Sequence, residues 1–275
     1  MTAIKILVNG EEAAEVSVAD RGFQYGDGVF ETFKLTDGKP EFWARHIARL
    51  EEGCKRLNFP APSISVLRGD VDALRVGPAS GVLKIMVTRG VGGRGYKAPD
   101  PACPTRVTAL YPFPEYPESY YSEGVKIRTC ATRLADQPRL AGIKHMNRLE
   151  QILARSEWKD DDIAEGLMTD ANGNVIEGTM ANLFAVKDGA LSTPDLSRCG
   201  VSGIMRAVVL DLARKAEIEP QIRDIPMSEV EDADELFLTN SVIGIWPVKS
   251  LDARDYKPGD VTAKLTEALA NHARN

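Results

Sequence analysis

The spacing of apolar residues changes period several times along this chain, and each change marks an element. Ile4 to Val8 is a short β-rich run that stops at Asn9-Gly10, a strong hairpin signal. Val29 to Leu35 alternates and stops at a second turn, Asp37-Gly38. From Trp43 to Leu57 the period lengthens. Ile47, Leu50, Cys54 and Leu57 stand at i, i+3, i+7 and i+10, which is one face of a helix. Gly81 to Arg89 and Arg106 to Tyr111 read as strands. The segment Pro112 to Pro117 then holds three prolines in six residues. Each removes a backbone donor, so neither a helix nor a central strand runs through it. A seam is predicted there, with one domain over 1–113, a linker over 114–122 and a second, larger domain over 123–275.

Beyond the seam, Gly124 to Thr132 predicts a strand. His145 to Trp158 predicts a helix with Met146, Leu149, Ile152 and Leu153 on one side. Gly166 to Thr169, Val175 to Val186 and Ala190 to Thr193 read as strands, punctuated by Asn172-Gly173 and Asp188-Gly189. Ser202 is placed as the cap of a helix from Gly203 to about Ala216. Glu235 to Thr239 is a strand, and Val261 to Ala273 a last helix. Strands and helices mix without strict βαβ alternation, which predicts an α+β fold.

Composition narrows the function. Hydrophobic residues are 43% and charged residues 27%, the balance of a globular chain. Lys and Arg total 34 against 40 Asp and Glu, a net charge of −6. That argues against a nucleic-acid partner, and an anionic ligand must be held by a few placed cations. No membrane-length apolar run is present, and Met1 to Lys5 has no apolar signal region. The four cysteines and three histidines show no metal-site spacing, so the thiols are expected to be reduced and structural in a cytoplasmic protein. The histidines are read as bystanders.

Gly90 to Gly95 satisfies G-x-G-x-x-G, but Pro99 and Pro101 follow where a dinucleotide site needs a helix. The better reading is a mobile loop carrying Arg94 and Tyr96 over a pocket, with Arg94 offering a carboxylate-shaped fork. Lys144 sits between an apolar segment and a predicted helix start. It is either a solvated helix-end lysine or a partly desolvated amine able to act as nucleophile and base. Glu177 lies in an apolar strand, either reaching water at the strand end or countering a buried cation. The Gly203 helix start, with Ile204 and Met205, is either an ordinary cap or an anion site. Arg45 and Arg49, at i and i+4, are either a solvated face or a source of a phosphate ligand.

Taken together these residues resemble the fold-type IV pyridoxal-5′-phosphate enzymes, which include branched-chain and D-amino acid aminotransferases and aminodeoxychorismate lyases. The likeness runs from Ser17–Glu31 to Pro247-Val248. The Arg89–Tyr96 and Leu140–Gln151 segments are more similar to the lyase branch than to the transaminases. The resemblance implies an α+β chain with a smaller N-terminal α/β domain and a larger C-terminal pseudo-barrel domain. It implies pyridoxal 5′-phosphate as cofactor, Lys144 as the catalytic Schiff-base lysine, and Glu177 as the partner of the ring nitrogen. It implies a phosphate site from Arg49, Gly203, Ile204, Met205, Asn240 and Ser241, and substrate contacts from Arg94 and Tyr96. It further implies a homodimer acting on a small dicarboxylate, released as 4-aminobenzoate and pyruvate, with the D-amino acid or branched-chain aminotransferase reaction as the alternative and, from a different class, a non-catalytic protein that binds the cofactor or a small molecule on this fold. Phe30 and Glu31 receive no role, because lyases vary there.

Overall fold

The computed structural model describes residues 2–74 and 80–272. The chain divides into two compact units, Met1–Glu115 with Ile143–Asn147, and Tyr116–Gly142 with Arg148–Asn275.

The first unit is built on a six-stranded antiparallel sheet. Its order is Glu11–Glu12, Lys5–Val8, Thr105–Pro112, Gly81–Thr88, Gly28–Thr36, Lys39–Pro40. The two hairpin signals close as read: Asn9 and Gly10 have φ of 54° and 94°, and Asp37 and Gly38 have φ of 50° and 70°. Positive φ at both turn residues matches the twist of the flanking strands. One face of the sheet carries Val29, Phe33, Leu83, Ile85 and Val87 into a core covered by helix Trp43–Arg56 and helix Ile64–Leu74. The second helix is absent from the sequence reading. Leu67, Val71 and Leu74 do carry its i, i+4, i+7 spacing, after two prolines that obscure the start.

The second unit is built on a nine-stranded mixed sheet. Its order is Gln221–Arg223, Ala190–Pro194, Asn182–Lys187, Glu235–Asn240, Gly244–Leu251, Val125–Thr129, Ile163–Thr169, Val175–Gly178, with Arg254–Asp255 beside Gly244–Leu251. Three of its pairings are parallel. Helices Ile204–Lys215 and Asp260–His272 are the longest of this unit among the described residues, and Ala273 lies outside those residues.

Three sequence readings need correction. The helix expected over His145–Trp158 is confined to Leu149–Arg155. Its first residues are claimed by strand Gly28–Thr36: the Met146 N–H donates to the Gly28 carbonyl, and His145 bridges Val29. The strand expected over Val175–Val186 is two strands, Val175–Gly178 and Asn182–Lys187. The buried Glu165 carboxylate takes the N–H groups of Thr179 and Met180 and the Thr179 hydroxyl, which fixes a turn between them. Finally, Gly203 rather than Ser202 is the cap of helix Ile204–Lys215, with φ −63° and ψ 139° and no side-chain cap bond.

Candidate active site

Lys144 is positioned by its main chain. The Phe30 N–H donates to the Lys144 carbonyl at 2.9 Å, and the Met146 N–H to the Gly28 carbonyl at 2.9 Å. Ile143, 1% exposed, anchors the segment in the apolar interior. The half-buried Lys144 side chain places Nζ 4.5 Å from the centroid of the Phe30 ring, within the range of a cation–π contact.

Next to Phe30 along the same strand, Glu31 points to the opposite face, as the strand period requires. There it meets helix Trp43–Arg56. Arg49 Nε donates to Oε1 at 2.8 Å and Nη2 to Oε2 at 2.5 Å, a two-point fork, while His46 Nδ1 lies 2.6 Å from Oε2. Glu31 and His46 are each 1% exposed. Burial by itself pushes the Glu31 carboxyl up, but the charge and hydrogen bonds of Arg49, with His46, outweigh it and hold it below its usual range. Burial pushes the His46 imidazole down despite the carboxylate. His46 is therefore no bystander, and Glu31 sets where Arg49 stands. The sequence signal was present as His46 and Arg49 at i, i+3 on a helix whose apolar face packs on that strand. Arg45, one turn before Arg49, is exposed.

In the second unit Glu177, 5% exposed, accepts the Val201 N–H at 2.8 Å. Its charge bears on two guanidiniums. Arg148 and Arg206 are both pushed down by burial, with Glu177 opposing the shift in each. So the carboxylate is buried among cations rather than reaching water at the strand end. Close by in sequence stands the start of helix Ile204–Lys215. Gly203 has no room for a side chain, since a Cβ would lie 1.9 Å from Asn182 Oδ1. Asn182 in turn donates Nδ2 to the Val201 carbonyl at 2.9 Å. Thr239 pairs with Asn182 across the sheet, so both side chains share a face. The Thr239 hydroxyl is buried and lacks a hydrogen-bond partner among the described residues. Asn240 Oδ1 accepts the Val242 and Ile243 N–H groups at 2.8 and 2.9 Å, and the turn they form contains Ser241. A helix start without a side-chain cap, a glycine that keeps its backbone bare, an orphaned hydroxyl and a buried carboxylate fit a phosphate-bearing, ring-protonated cofactor. Asn182 and Thr239 escaped the sequence reading because neither carries a motif.

The glycine loop behaves as the sequence analysis expects in one respect: no helix follows it. Arg94 and Tyr96 are both exposed. The loop is latched at its base. Arg21 donates to the carbonyls of Gly95 at 3.0 Å and Tyr96 at 3.4 Å and to Asp27 at 2.8 Å, and Asp27 also takes a fork from Arg89. The Tyr25 hydroxyl accepts the Gly95 N–H at 3.2 Å, and its ring meets Tyr96 edge-on.

Burial pushes Cys54, Cys130 and Cys199 up to about 12. No group of metal-binding side chains occurs among the described residues, and no helix of them is long and apolar enough to cross a membrane.

An antiparallel-sheet unit and a larger mixed-sheet unit, with a clamped lysine in one and a buried carboxylate and bare helix start in the other, define the fold-type IV class. The chain belongs to the class IV aminotransferase family, whose pattern, Amino-transferase class IV, matches residues 28–251. That family depends on pyridoxal phosphate. The chain is 37% identical to the aminodeoxychorismate lyase of Vibrio harveyi over 262 residues, 95% of this chain and 97% of that one. It matches the crystal structure of 4-amino-4-deoxychorismate lyase from Pseudomonas aeruginosa with a TM-score of 0.93 and 49% identity, covering 97% and 98% of the two chains. A putative branched-chain-amino-acid aminotransferase of Methanocaldococcus jannaschii is 34% identical over 275 residues, 96% of this chain and 94% of its own.

Proposed function

We propose that this chain is a carbon–oxygen lyase that converts 4-amino-4-deoxychorismate to 4-aminobenzoate and pyruvate. The full-length likeness to lyases from two bacteria carries this reading, and the site supplies the groups the reaction needs. Pyridoxal phosphate, when bound, supplies an electron-poor ring that accepts the electron pair of the broken C–H bond. The chain supplies the rest. Glu177 keeps the ring nitrogen protonated. Arg49, the Ile204 and Met205 N–H groups at the Gly203 helix start, Asn240 and Ser241 hold the phosphate. Lys144 anchors the cofactor and, as a free amine, takes the proton from substrate C4. The C3–O bond then breaks, enolpyruvate leaves and becomes pyruvate, and the ring becomes aromatic. Arg94 and Tyr96 meet a substrate carboxylate from the loop.

Incubating the purified protein with 4-amino-4-deoxychorismate is expected to release 4-aminobenzoate and pyruvate in equal amounts, read by fluorescence and a coupled pyruvate assay. Amino transfer from D-alanine or L-leucine without that release moves the assignment to the aminotransferase reaction, which uses the same groups.

A second copy of the chain belongs to this reading. Leu149, Ile152 and Leu153 stand at i, i+3, i+4 on helix Leu149–Arg155 and are 72%, 60% and 58% exposed. Such an apolar helical face on an acidic chain calls for an apolar cover. Light scattering is expected to give twice the 30.0 kDa chain mass, and Ile152→Glu to lower it. A wild-type monomer at micromolar concentration sinks the dimer.

A further inference from the structure

Gly90, Gly92 and Gly95 form a G-x-G-x-x-G pattern that holds no dinucleotide, yet glycines so spaced let something approach the main chain closely. A Cβ on Gly90 would lie 1.8 Å from the Cys103 carbonyl oxygen, where the two ends of the loop meet. A Cβ on Gly92 would lie 2.8 Å from Arg21 Cδ and 3.1 Å from its Cγ. Gly95 has a φ of 91°, which a side chain would strain. A Cβ on Gly93, which is outside the pattern, would meet nothing within 4 Å. What approaches this backbone is therefore the side chain of Arg21.

Arg21 is 4% exposed. Its Nη1 donates to the Gly95 carbonyl at 3.0 Å and reaches that of Lys97 at 3.5 Å, and Nη2 reaches that of Tyr96 at 3.4 Å. Nε donates to Asp27 at 2.8 Å, and the guanidinium carbon stands 5.0 Å from the Tyr25 ring centroid. The Arg21 N–H donates to the Gly90 carbonyl at 2.9 Å. One residue thus holds both the start of the loop and the three residues after Arg94. The Gly95 N–H goes to the Tyr25 hydroxyl, so helix Arg21–Tyr25 takes both backbone groups of the residue following Arg94. No helix or strand runs through residues 92–100, so the loop has no ladder of its own to fix Arg94. A guanidinium buried only for stability needs a well-matched carboxylate. Arg21 shares Asp27 with Arg89 and turns its remaining donors to the loop.

We infer that the glycine pattern is a seat for the Arg21 guanidinium, and that Arg21 is a positioning residue for substrate binding, which fixes the backbone beside Arg94 and so aims Arg94 at a substrate carboxylate. The inference rests on the proposed lyase reading for the identity of the substrate, and deepens it by naming what sets the loop.

The test compares wild-type holoenzyme with Arg21→Gln, Gly92→Ala, Gly93→Ala, Arg94→Ala and the double variant Arg21→Gln/Arg94→Ala. Three readouts are taken: KM and kcat for 4-amino-4-deoxychorismate; calorimetric affinity for chorismate, which keeps both carboxylates but has a hydroxyl in place of the amine; and the rate of trypsin cleavage after Arg94 or Lys97, read by mass spectrometry. Arg21→Gln and Arg94→Ala are each expected to raise KM and the chorismate Kd about tenfold, with kcat changing far less and the cofactor absorbance intact. Because Arg21 acts through Arg94, the double variant is expected to match the single ones rather than reach about a hundredfold. Arg21→Gln is expected to speed loop cleavage about tenfold, since the latch holds the loop against opening. Gly92→Ala, whose methyl displaces the Arg21 stem, is expected to reproduce Arg21→Gln, and Gly93→Ala to stay within about twofold of wild type. Unchanged chorismate affinity or unchanged cleavage in both Arg21→Gln and Gly92→Ala overturns the assignment. A multiplied loss in the double variant overturns it as well, because Arg21 then acts apart from Arg94. So does a loss of cofactor absorbance that parallels the loss of affinity, which marks Arg21 as structural. If cleavage and chorismate affinity respond as expected while the wild type releases no 4-aminobenzoate, the lyase reading fails and the role of Arg21 in the loop stands.

Discussion

Lys144→Ala is expected to yield a folded, colourless protein whose 4-aminobenzoate release falls by at least about 10⁴-fold, the upper range for losing a positioned general base. The fold survives because residue 144 is held through its main chain. The Phe30 N–H bonds the residue 144 carbonyl, and Ile143, not the lysine, fills the apolar interior. Truncating the side chain removes neither contact. What goes is the only group that this reading asks to do two tasks, tethering the cofactor and moving the C4 proton. Lys144→Arg does not rescue, because a guanidinium stays protonated at any working pH and cannot accept that proton. Far-ultraviolet circular dichroism, the visible absorbance band and single-turnover product release together check the claim. A variant that keeps both the band and turnover would falsify the assignment of Lys144.

How much of this was legible in the sequence follows from where each signal resides. Turn chemistry is local, so Asn9-Gly10 and Asp37-Gly38 announced both hairpins correctly. Helix Trp43–Arg56 was legible because a full apolar stripe repeats over three turns. Helix His145–Trp158 was misplaced for the opposite reason. Its apolar residues are real, but His145 and Met146 are taken by pairing with Gly28–Phe30, over a hundred residues earlier in the chain, and no local pattern encodes that pairing. The rest of that stripe, Leu149, Ile152 and Leu153, stays exposed within one chain. The candidate site divides the same way. Lys144, Glu177 and the Gly203 helix start sit in recognisable motifs. Glu31 and His46 form their cluster through the register of a strand against a helix.

The acidic balance therefore acts through placement. Acids are assigned to particular cations: Asp27 to Arg21 and Arg89, Asp70 to Arg106, Glu41 to Lys34. Such pairing leaves few cations to meet an anionic ligand. A net charge of −6 therefore leaves any attraction for an anionic ligand to a few placed cations.

Glu31→Ala is expected to destabilise the protein by about 3–5 kcal/mol, the cost of removing one member of a buried ion cluster. The carboxylate is 1% exposed and accepts from both Arg49 and His46, so its loss removes a charged acceptor from both at once. The effect carries a pH signature. Although burial pushes the Glu31 carboxyl up, Arg49 and His46 bring it below the ordinary glutamate value of 4.5 in the folded protein. Its stabilisation is thus complete above that value and is lost as pH falls through the lower folded-state value. His46 works in the same direction. Its folded imidazole is held below 6.5, so an unfolded chain takes up that proton first, and stability begins to fall as pH drops below 6.5. Urea midpoints of wild type and Glu31→Ala should therefore lie far apart at pH 7 and converge as the solution is taken well below pH 4.5. Glu31→Gln, which keeps the shape but not the charge, should recover only part of the gap. Cofactor affinity should drop with stability if, as proposed, Arg49 holds the phosphate, because the fork that orients its guanidinium is gone. A gap that stays constant from neutral to acid pH would mean that Glu31 contributes packing alone, and the positioning role assigned to it would fall.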